Sequence, residues 1–360
     1  MKTFSLGILL TCVSGIIGAY LLNNELTATT SESVVSSIRH SNGKFHNSVQ
    51  SEAPSLGKTL GIFKRYFTEK KIDSTPTEQI PMLQVTRQQL DALSDDNVHI
   101  VKLGHSTLLI KMHGEYWLID PDFSMRASPF SFIGPKRFQP TPISIDDLPP
   151  IDKVLISHNH YDHLDQAAIK ALNTKTGEFL VPLGVEGDLQ KWGVNEEKIK
   201  QFDWWQEQQT EHALVAFTPS QHFSGRGIGD GNKTLWGSWV VKTPGRSFYF
   251  SGDSGYFAGF KSIGDKYGPF DLTFIETGAY DKDWADIHMT PEESVQAHID
   301  LAGETMVPIH NGTFDLAFHP WYEPLVRVSE AAQKYNVSLS TPVFGQVFKL
   351  EHKPIQTVWW

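Results

Sequence analysis

Residues 157–165 read Ser157-His158-Asn159-His160-Tyr161-Asp162-His163-Leu164-Asp165, and they follow the apolar, strand-like run 154–156. Four side chains that can bind a metal therefore stand within six residues. Neutral imidazoles and carboxylates are the ligands that zinc and similar divalent metals prefer. If a strand ends at Ser157, the loop after it can direct His158 and His160 to one ion. Asp162 and His163 would then face a second ion, so the spacing predicts the two-metal site of a hydrolase.

This pattern resembles the His-x-His-x-Asp-His signature of the metallo-β-lactamase superfamily, which also follows a strand. Three later ligands follow in that superfamily, each at the end of a strand. The resemblance implies His222, Asp253 and His310, and each of them comes after a short β-prone run, at 215–217, 247–250 and 305–307. A lone His or Asp is more often a core residue, but here all three occur in the expected order.

The resemblance is more specific to one branch of the superfamily, the N-acylphosphatidylethanolamine-hydrolysing phospholipase D family, and it covers roughly residues 98–348. The matching blocks are 103–107, 120–124, 134–138, 148–152, 203–205, 235–239, 268–272, 278–280 and 291–293. The chain departs from the family at Asn311, where the family has Trp, and at Glu276-Thr277, where it has Pro-Ile. The segment 281–287 is shorter and more acidic than its counterpart, so the substrate is the least determined feature.

The family pattern implies how the ligands are divided between two divalent ions, for which zinc is the expected metal. One ion would be held by His158, His160 and His222, and the other by Asp162, His163 and His310, with Asp253 bridging the two. Asp120 and Asp165 are candidates for accepting hydrogen bonds from the ligand imidazoles. Roles as a helix cap or a turn residue fit these two aspartates equally well.

The resemblance also implies residues that act on the substrate. Asp162 and His288 are the candidate catalytic residues, and Tyr161 and His288 match positions at which the family contacts substrate. Tyr161 could donate to a phosphoryl oxygen, and His288 could orient the head group or protonate the leaving oxygen. Packing beneath the loops is the alternative for both. Four tryptophans fit the core better than an acyl-chain groove: Trp204, Trp205, Trp236 and Trp239.

The secondary structure predicted from the sequence is mixed. Strands are predicted at 98–103, 107–111 and 116–119, separated by Gly104 and Gly114 as in a meander. A helix over 165–172 would be capped by Asp165, and another would begin at Pro291 after the cap Thr290. These elements predict the α+β class, and the family resemblance implies a four-layer αββα sandwich.

Composition excludes some functions and restricts the metal ligands. The chain has 360 residues and a formal net charge of −10, and it contains no basic block, so we exclude nucleic acid as a partner. Cys12 is the only cysteine, and it lies in the N-terminal apolar run. The globular part therefore has neither a disulfide nor a thiolate ligand, and its metal sites must be built from His and Asp.

Three regions are expected along the chain. Residues 1–24 form a membrane anchor or signal segment, because Lys2 precedes an uncharged run of about 20 residues that could span a bilayer. An uncleaved anchor fits better than a cleaved signal, and a lipoprotein signal at Cys12 fits least. Residues 25–75 are expected to be a tether and N-terminal extension, and residues 76–360 the hydrolase domain. This charge pattern would place the domain outside the cytoplasm, on the periplasmic side in a bacterium.

The leading functional hypothesis is a phosphodiesterase of phospholipase D type that acts on N-acylphosphatidylethanolamine-like lipids. The alternative is a metal-dependent hydrolase of a small phosphodiester or a sugar-phosphate lactone, since one fold supports many reactions. A metal-binding protein without turnover is a third hypothesis, and the complete ligand set argues against it. The sequence leaves the oligomeric state open, a homodimer included.

We predict that the full-length chain fractionates with membranes, whereas a variant lacking residues 1–24 is soluble. The reason is that an apolar run of about 20 residues partitions strongly into lipid. Fractionation followed by immunoblotting measures the distribution. Recovery of the uncleaved, full-length chain in the soluble fraction would exclude the anchor.

Overall fold

The computed structural model describes residues 37, 39–49, 56–351 and 354–360. The predicted anchor, residues 1–24, lies outside these residues. In the part of the chain that is described, no helix combines the length and the apolar character that a bilayer span requires.

Most of the strands belong to two seven-stranded mixed sheets. In spatial order, the first sheet consists of β16 (Val347–Lys349), β3 (His99–Gly104), β4 (Thr107–Met112), β5 (Glu115–Ile119), β6 (Ile151–Leu155), β7 (Thr176–Pro182) and β8 (Ile199–Phe202). The second sheet, also in spatial order, consists of β15 (Ser338–Leu339), β14 (Gly303–Ile309), β13 (Phe270–Glu276), β12 (Arg246–Phe250), β11 (Ser238–Thr243), β10 (Leu214–Thr218) and β9 (Glu207–Gln209).

Helices and a short hairpin complete the described chain. The hairpin is formed by β1 (His40–Ser41) and β2 (Lys44–Phe45). The helices are α1 (Leu56–Thr68), α2 (Arg87–Asp91), α3 (Gln166–Leu172), α4 (Glu186–Lys191), α5 (Gly259–Tyr267), α6 (Pro291–Asp300) and α7 (Glu323–Tyr335), with one 3₁₀ turn at Glu196–Lys198. The predicted caps are confirmed: Asp165 accepts from the backbone N–H of Ala167 at 2.9 Å, and Thr290 forms a capping box ahead of Pro291.

The two sheets pack face to face because their strands alternate apolar side chains between two buried surfaces. In β4, Leu108 and Ile110 face the second sheet and share a core with Trp239 of β11. Leu109 points the other way, into a core that includes Ile169 of α3. The three meander strands β3, β4 and β5 are antiparallel, as predicted from the sequence.

Helices cover the outer face of each sheet. On the first sheet, Leu90 of α2 and Leu189 of α4 join the core that contains Leu109. On the second, Tyr249 of β12 packs in a core with Val295 of α6 and Val328 of α7. Helix, sheet, sheet and helix are therefore the four layers, and the predicted αββα arrangement is confirmed.

The residues before helix α1 do not all behave as the predicted tether. Residues 39–49 pack on the sandwich: Phe45 is fully buried in the core between the sheets, and its N–H donates to the carbonyl of Asn232 at 2.7 Å. A flexible linker was expected because this segment is polar and has no periodicity. A single buried aromatic and a few hydrogen bonds hold it, and neither leaves a periodic signal in the sequence.

Candidate metal centre

The candidate ligands converge because they follow strands whose carboxyl ends lie at one edge of the sandwich. In the first sheet, β5 and β6 are parallel, and the motif 158–163 follows β6. In the second sheet, β12, β13 and β14 are parallel, and they lead to Asp253, Glu276 and His310. The loop after β10 brings His222 to the same edge. All seven ligands implied by the resemblance therefore meet in one place, although the chain separates them by as many as 152 residues (310 minus 158).

The first ligand group consists of His158, His160, His222 and Asp253, whose ligand atoms all lie within 4.8 Å of one another. His160 Nδ1 is 2.9 Å from His158 Nε2 and 3.2 Å from His222 Nε2. Nitrogens around a tetrahedral zinc ion are ~3.3 Å apart, given Zn–N bonds of ~2.0–2.1 Å. Asp253 Oδ2 lies 3.8 Å from both His158 Nε2 and His222 Nε2, so this group has the dimensions of a four-coordinate site.

The second ligand group consists of Asp162, His163, His310 and an unpredicted member, His105. Asp162 Oδ2 lies 3.0 Å from His105 Nε2 and 3.3 Å from His310 Nε2. Asp253 reaches this group as well, with Oδ1 at 3.1 Å from His163 Nε2 and Oδ2 at 3.1 Å from His310 Nε2. The two groups thus share one carboxylate, in the position that the resemblance implies for a bridge.

The protonation of the imidazoles suits metal binding. Burial lowers the pKa of His105, His160 and His222 to about 3 and holds the pKa of His158 well below its usual value. These rings are therefore neutral near pH 7 and offer lone pairs to a cation.

The charge of Asp253 is stabilised by positive charge on neighbouring groups. Despite burial, His163 and His310 hold the pKa of the Asp253 carboxyl well below its usual range. Conversely, although burial opposes it, the neighbouring carboxylates raise the pKa of His310 to about 10. Divalent ions between the same atoms would supply this positive charge.

Unpartnered atoms agree with this interpretation. Buried polar atoms are almost always hydrogen-bonded. Among the described residues, His163 Nε2 and Asp253 Oδ1 are buried, and no hydrogen bond satisfies either atom although only 3.1 Å separates them. A metal ion bound by both atoms would give each of them a partner. The residues present therefore fit a pair of divalent ions.

Asp120 accepts a hydrogen bond from a ligand imidazole, which is one of the two roles considered for it from the sequence. Its buried carboxylate accepts from His163 Nδ1–H at 2.7 Å and from the N–H of Ser157 at 2.7 Å. The hydroxyl of Ser157 donates to it at 2.5 Å and also contacts His158 Nδ1 at 2.9 Å. Asp165 has the other role: it caps α3 and accepts from the backbone of Phe123 and Ser124, without touching a ligand imidazole.

The N-terminal extension also reaches the site, through Asn47. Its amide Nδ2 donates to the carbonyl of His222 at 2.8 Å, and its Oδ1 accepts from the N–H of His222 at 3.2 Å. The same oxygen accepts from the indole of Trp236 at 2.9 Å. One side chain outside the hydrolase domain expected from the sequence therefore fixes the backbone of a candidate ligand from both sides.

The Tyr161 hydroxyl already has a hydrogen-bond partner within the protein. It donates to the carbonyl of Arg226 at 2.6 Å, so its only proton is not directed at a substrate phosphoryl group. The Arg226 guanidinium lies 4.1 Å from the centre of the Tyr161 ring and donates to the carbonyls of Asn159 and Leu164. Tyr161 and Arg226 thus fix the shape of the motif loop, which is the packing role considered as the alternative.

His288 lies beside both ligand groups, with its ring centre 5.1 Å from that of His222 and 5.5 Å from that of His310. Its Nδ1 is hydrogen-bonded to Glu276 Oε1, a pairing that the sequence did not predict.

His105 was also not predicted as a ligand. It follows β3 as the other ligands follow their strands, and it stands in a block that matches the family. That position is the signal by which it could have been found.

The fold and the geometry of the centre define the class: a hydrolase with a buried His/Asp site for divalent metals. A family model described as a beta-lactamase superfamily domain matches residues 116–311. The chain belongs to the metallo-β-lactamase superfamily and, within it, to the branch with the N-acylphosphatidylethanolamine-hydrolysing phospholipases D.

Individual relatives agree with this assignment. An uncharacterized protein of Mycobacterium tuberculosis is 43% identical over 277 residues, which are 76% of this chain and 73% of that protein. N-acyl-phosphatidylethanolamine-hydrolyzing phospholipase D 1 of Caenorhabditis elegans is 33% identical over 288 residues, covering 75% of this chain and 80% of that protein. The structure of Igni18, a metallo hydrolase from Ignicoccus hospitalis, has the same fold, with a TM-score of 0.54, 22% identity, and coverage of 71% of this chain and 100% of that one.

We predict that Asp120→Ala lowers the affinity for divalent metal on the order of 10-fold to 100-fold, because His163 and Ser157 lose their common acceptor. Competition with a chromophoric chelator measures the affinity. The matched control is Asp165→Ala, which should cost about 0.5–2 kcal/mol of stability as a lost helix cap and leave metal affinity unchanged. Equal losses of metal affinity in the two variants would contradict the assignment.

A second prediction concerns Asn47→Ala. Without the amide, the backbone of His222 loses both of its partners, and we expect the binding of one ion to weaken on the order of 10-fold while the other ion is retained. Isothermal titration of the metal-free protein resolves the two binding steps. Asn173→Ala is the control, because this amide also donates to a backbone carbonyl, that of Gly193 at 2.9 Å, but away from the site.

Proposed function

We propose that this protein is a two-metal phosphodiesterase of phospholipase D type that acts on N-acylphosphatidylethanolamine-like phospholipids. The observation that carries the proposal is the position of Asp253, one carboxylate within 3.8 Å of imidazoles from both ligand groups. Two ions held around one carboxylate can engage both oxygens of an in-line displacement at phosphorus. The similarity to the phospholipase D of Caenorhabditis elegans supports the substrate class.

The chain would hold one ion through His158, His160 and His222 and the other through Asp162, His163 and His310. When bound, a pair of divalent ions, for which we expect zinc, polarises the phosphoryl group and activates water near neutral pH. The neutral imidazoles and the two aspartates of the protein fix where the phosphodiester must sit. Burial of these groups keeps bulk water away from the reacting phosphorus.

His288 is the candidate for assisting the leaving oxygen. It borders both ligand groups, and 14% of its side chain is exposed, so it is open to the space where substrate would bind. A histidine in this position would protonate the ethanolamine oxygen as the bond from phosphorus to that oxygen breaks. The products are then a phosphatidic acid and an N-acylethanolamine.

Phe223 supports a lipid substrate. Its ring contacts His160 and His222, with ring centres 4.5 and 4.8 Å apart, and 40% of the residue is exposed. An exposed aromatic ring at the rim of a polar centre can pack against the apolar part of a phospholipid. A small, fully polar diester has no apolar group that could pack against this ring.

The segment 281–287 favours the alternative, a small phosphodiester or a sugar-phosphate lactone. Its residues Asp281 and Asp283 form ion pairs with Arg65 of helix α1, so this loop is held by charges at a place where the family contacts lipid. The small diester differs from the phospholipid in the groups attached to phosphorus, and the lactone differs in the bond that is cleaved, but the same metal centre would serve each of them.

With N-acylphosphatidylethanolamine in mixed micelles, we expect the full-length protein to release phosphatidic acid and N-acylethanolamine without diacylglycerol. Chromatographic separation of the labelled products measures this. Chelation should abolish turnover, and His158→Ala or Asp253→Ala should remove at least one ion, because each takes away a ligand. Tyr161→Phe is the companion variant: it should keep both ions and the ring contact with Arg226.

Two results would count against the proposal. Cleavage of a water-soluble diester or lactone, with the phospholipid untouched, would retain the metal centre and replace the substrate. Absence of bound metal after mild purification, together with activity that chelators leave unchanged, would remove the two-metal mechanism.

A further inference from the structure

Glu276 is a buried carboxylate next to the metal centre that the proposed ligand set does not use. It is the last residue of β13 and is fully buried. Its Oε2 accepts from the N–H of Ser254 at 2.8 Å, and its Oε1 is hydrogen-bonded to Nδ1 of His288. Its own N–H donates to the hydroxyl of Ser251 at 2.9 Å. Both carboxylate oxygens are therefore engaged, and the side chain has one fixed orientation.

This pairing determines how His288 is presented. With Nδ1 bonded to Glu276, the other ring nitrogen, Nε2, has no hydrogen-bond partner among the described residues. The ring itself lies near two candidate ligands, with its centre 5.1 Å from that of His222 and 5.5 Å from that of His310. A histidine hydrogen-bonded to a carboxyl group at one nitrogen has a fixed tautomer and ring angle. When Oε1 holds the shared proton and donates it to Nδ1, the neutral ring carries its own proton on Nε2.

Burial of a carboxylate here requires a reason beyond packing. A buried acid is costly unless it is hydrogen-bonded and paired, and an apolar residue at the end of β13 would fill the same space without that cost. Glu276 is also one of the two residues by which this chain departs from the family pattern before Gly278-Ala279-Tyr280. The carboxylate bonds two elements of the site, the loop after Asp253 and the ring of His288.

We propose that Glu276 is a positioning residue that fixes the tautomer and orientation of His288 so that His288 Nε2–H points at the leaving oxygen of the phosphodiester. The inference rests on the proposed function and refines it. As the oxygen of water bonds to phosphorus, the bond from phosphorus to the leaving oxygen breaks. The Nε2 proton passes to that oxygen as the shared proton moves from Oε1 to Nδ1. One proton of the water then restores Nε2–H, the shared proton returns to Oε1, and the second proton of the water stays on the phosphate product. Glu276 touches neither substrate nor metal in this scheme.

The experiment compares two leaving groups in full-length Glu276→Gln, His288→Ala and the double variant. An alkyl alcohol needs protonation as it leaves, whereas p-nitrophenolate does not, so an acid role affects only the alkyl ester. We expect His288→Ala to lower kcat for an alkyl phosphodiester about 100-fold or more and Glu276→Gln to lower it about 10-fold, within the range for a residue that orients an active group. Neither should slow the p-nitrophenyl ester by more than about twofold, and the double variant should be no slower than His288→Ala.

Two controls separate positioning from a general loss of structure. Glu304→Gln makes the same chemical change at an exposed position of the neighbouring strand β14 and should have no effect. Glu276→Asp retains the charge with a shorter side chain and should recover part of the alkyl-ester rate. Thermal unfolding checks that each variant is folded.

A readout independent of turnover is the ¹⁵N spectrum of the metal-free protein. The His288 signals, assigned by their loss in His288→Ala, should show a single tautomer that becomes a mixture in Glu276→Ala, which removes the partner of Nδ1 that the amide of Glu276→Gln would replace. Equal slowing of both esters, or an unchanged tautomer, would overturn the proposal. Loss of an ion from Glu276→Gln by elemental analysis would also overturn it, because Glu276 would then be a ligand. A wild-type chain that cleaves no phosphodiester would refute the proposed function, and the tautomer comparison would still decide the pairing.

Discussion

The sharing of Asp253 between two imidazole groups is the constraint on which the rest of the site depends. One oxygen of Asp253 lies 3.1 Å from His163 Nε2. The other lies 3.1 Å from His310 Nε2 and 3.8 Å from Nε2 of both His158 and His222. For one side chain to serve both groups, strand ends from two different sheets must meet to within a few ångströms. A sandwich with a buried core on each side of both sheets is rigid enough to hold them there.

This arrangement places lone pairs and negative charge where water is excluded, which makes the metal-free site costly. Neutral imidazoles at His158, His160 and His222 present lone pairs to this space, and the ionised Asp253 depends on His163 and His310 for balancing positive charge. A ligand that binds only the folded state stabilises it, so metal binding and folding should be coupled in this protein. The outer carboxylate of Asp120 contributes by orienting His163 before any ion arrives.

The sequence was sufficient for the ligands whose signal is local. The motif 158–163 has its own spacing, and His222, Asp253 and His310 each follow a recognisable strand. Asn47 could not be predicted, because its role is a hydrogen bond to a residue 175 positions away. Glu276 bonds to His288 only 12 residues later, but nothing in the sequence indicates the direction of this buried side chain. Tyr161 is the converse case: its place in the motif is local information, but the direction of its hydroxyl depends on the carbonyl of Arg226.

The N-terminal extension is therefore joined to the metal centre at two points. The hairpin β1–β2 leads to Asn47, which holds the backbone of His222. Helix α1 carries Arg65, which binds Asp281 and Asp283 at the start of the loop whose last residue, Ile287, accepts from His222 Nδ1–H at 2.9 Å. Both routes end on the same residue, His222. A domain boundary at residue 76 therefore encloses both sheets but leaves out part of the metal site. The backbone and the ring of His222 are both held by contacts that begin in the extension.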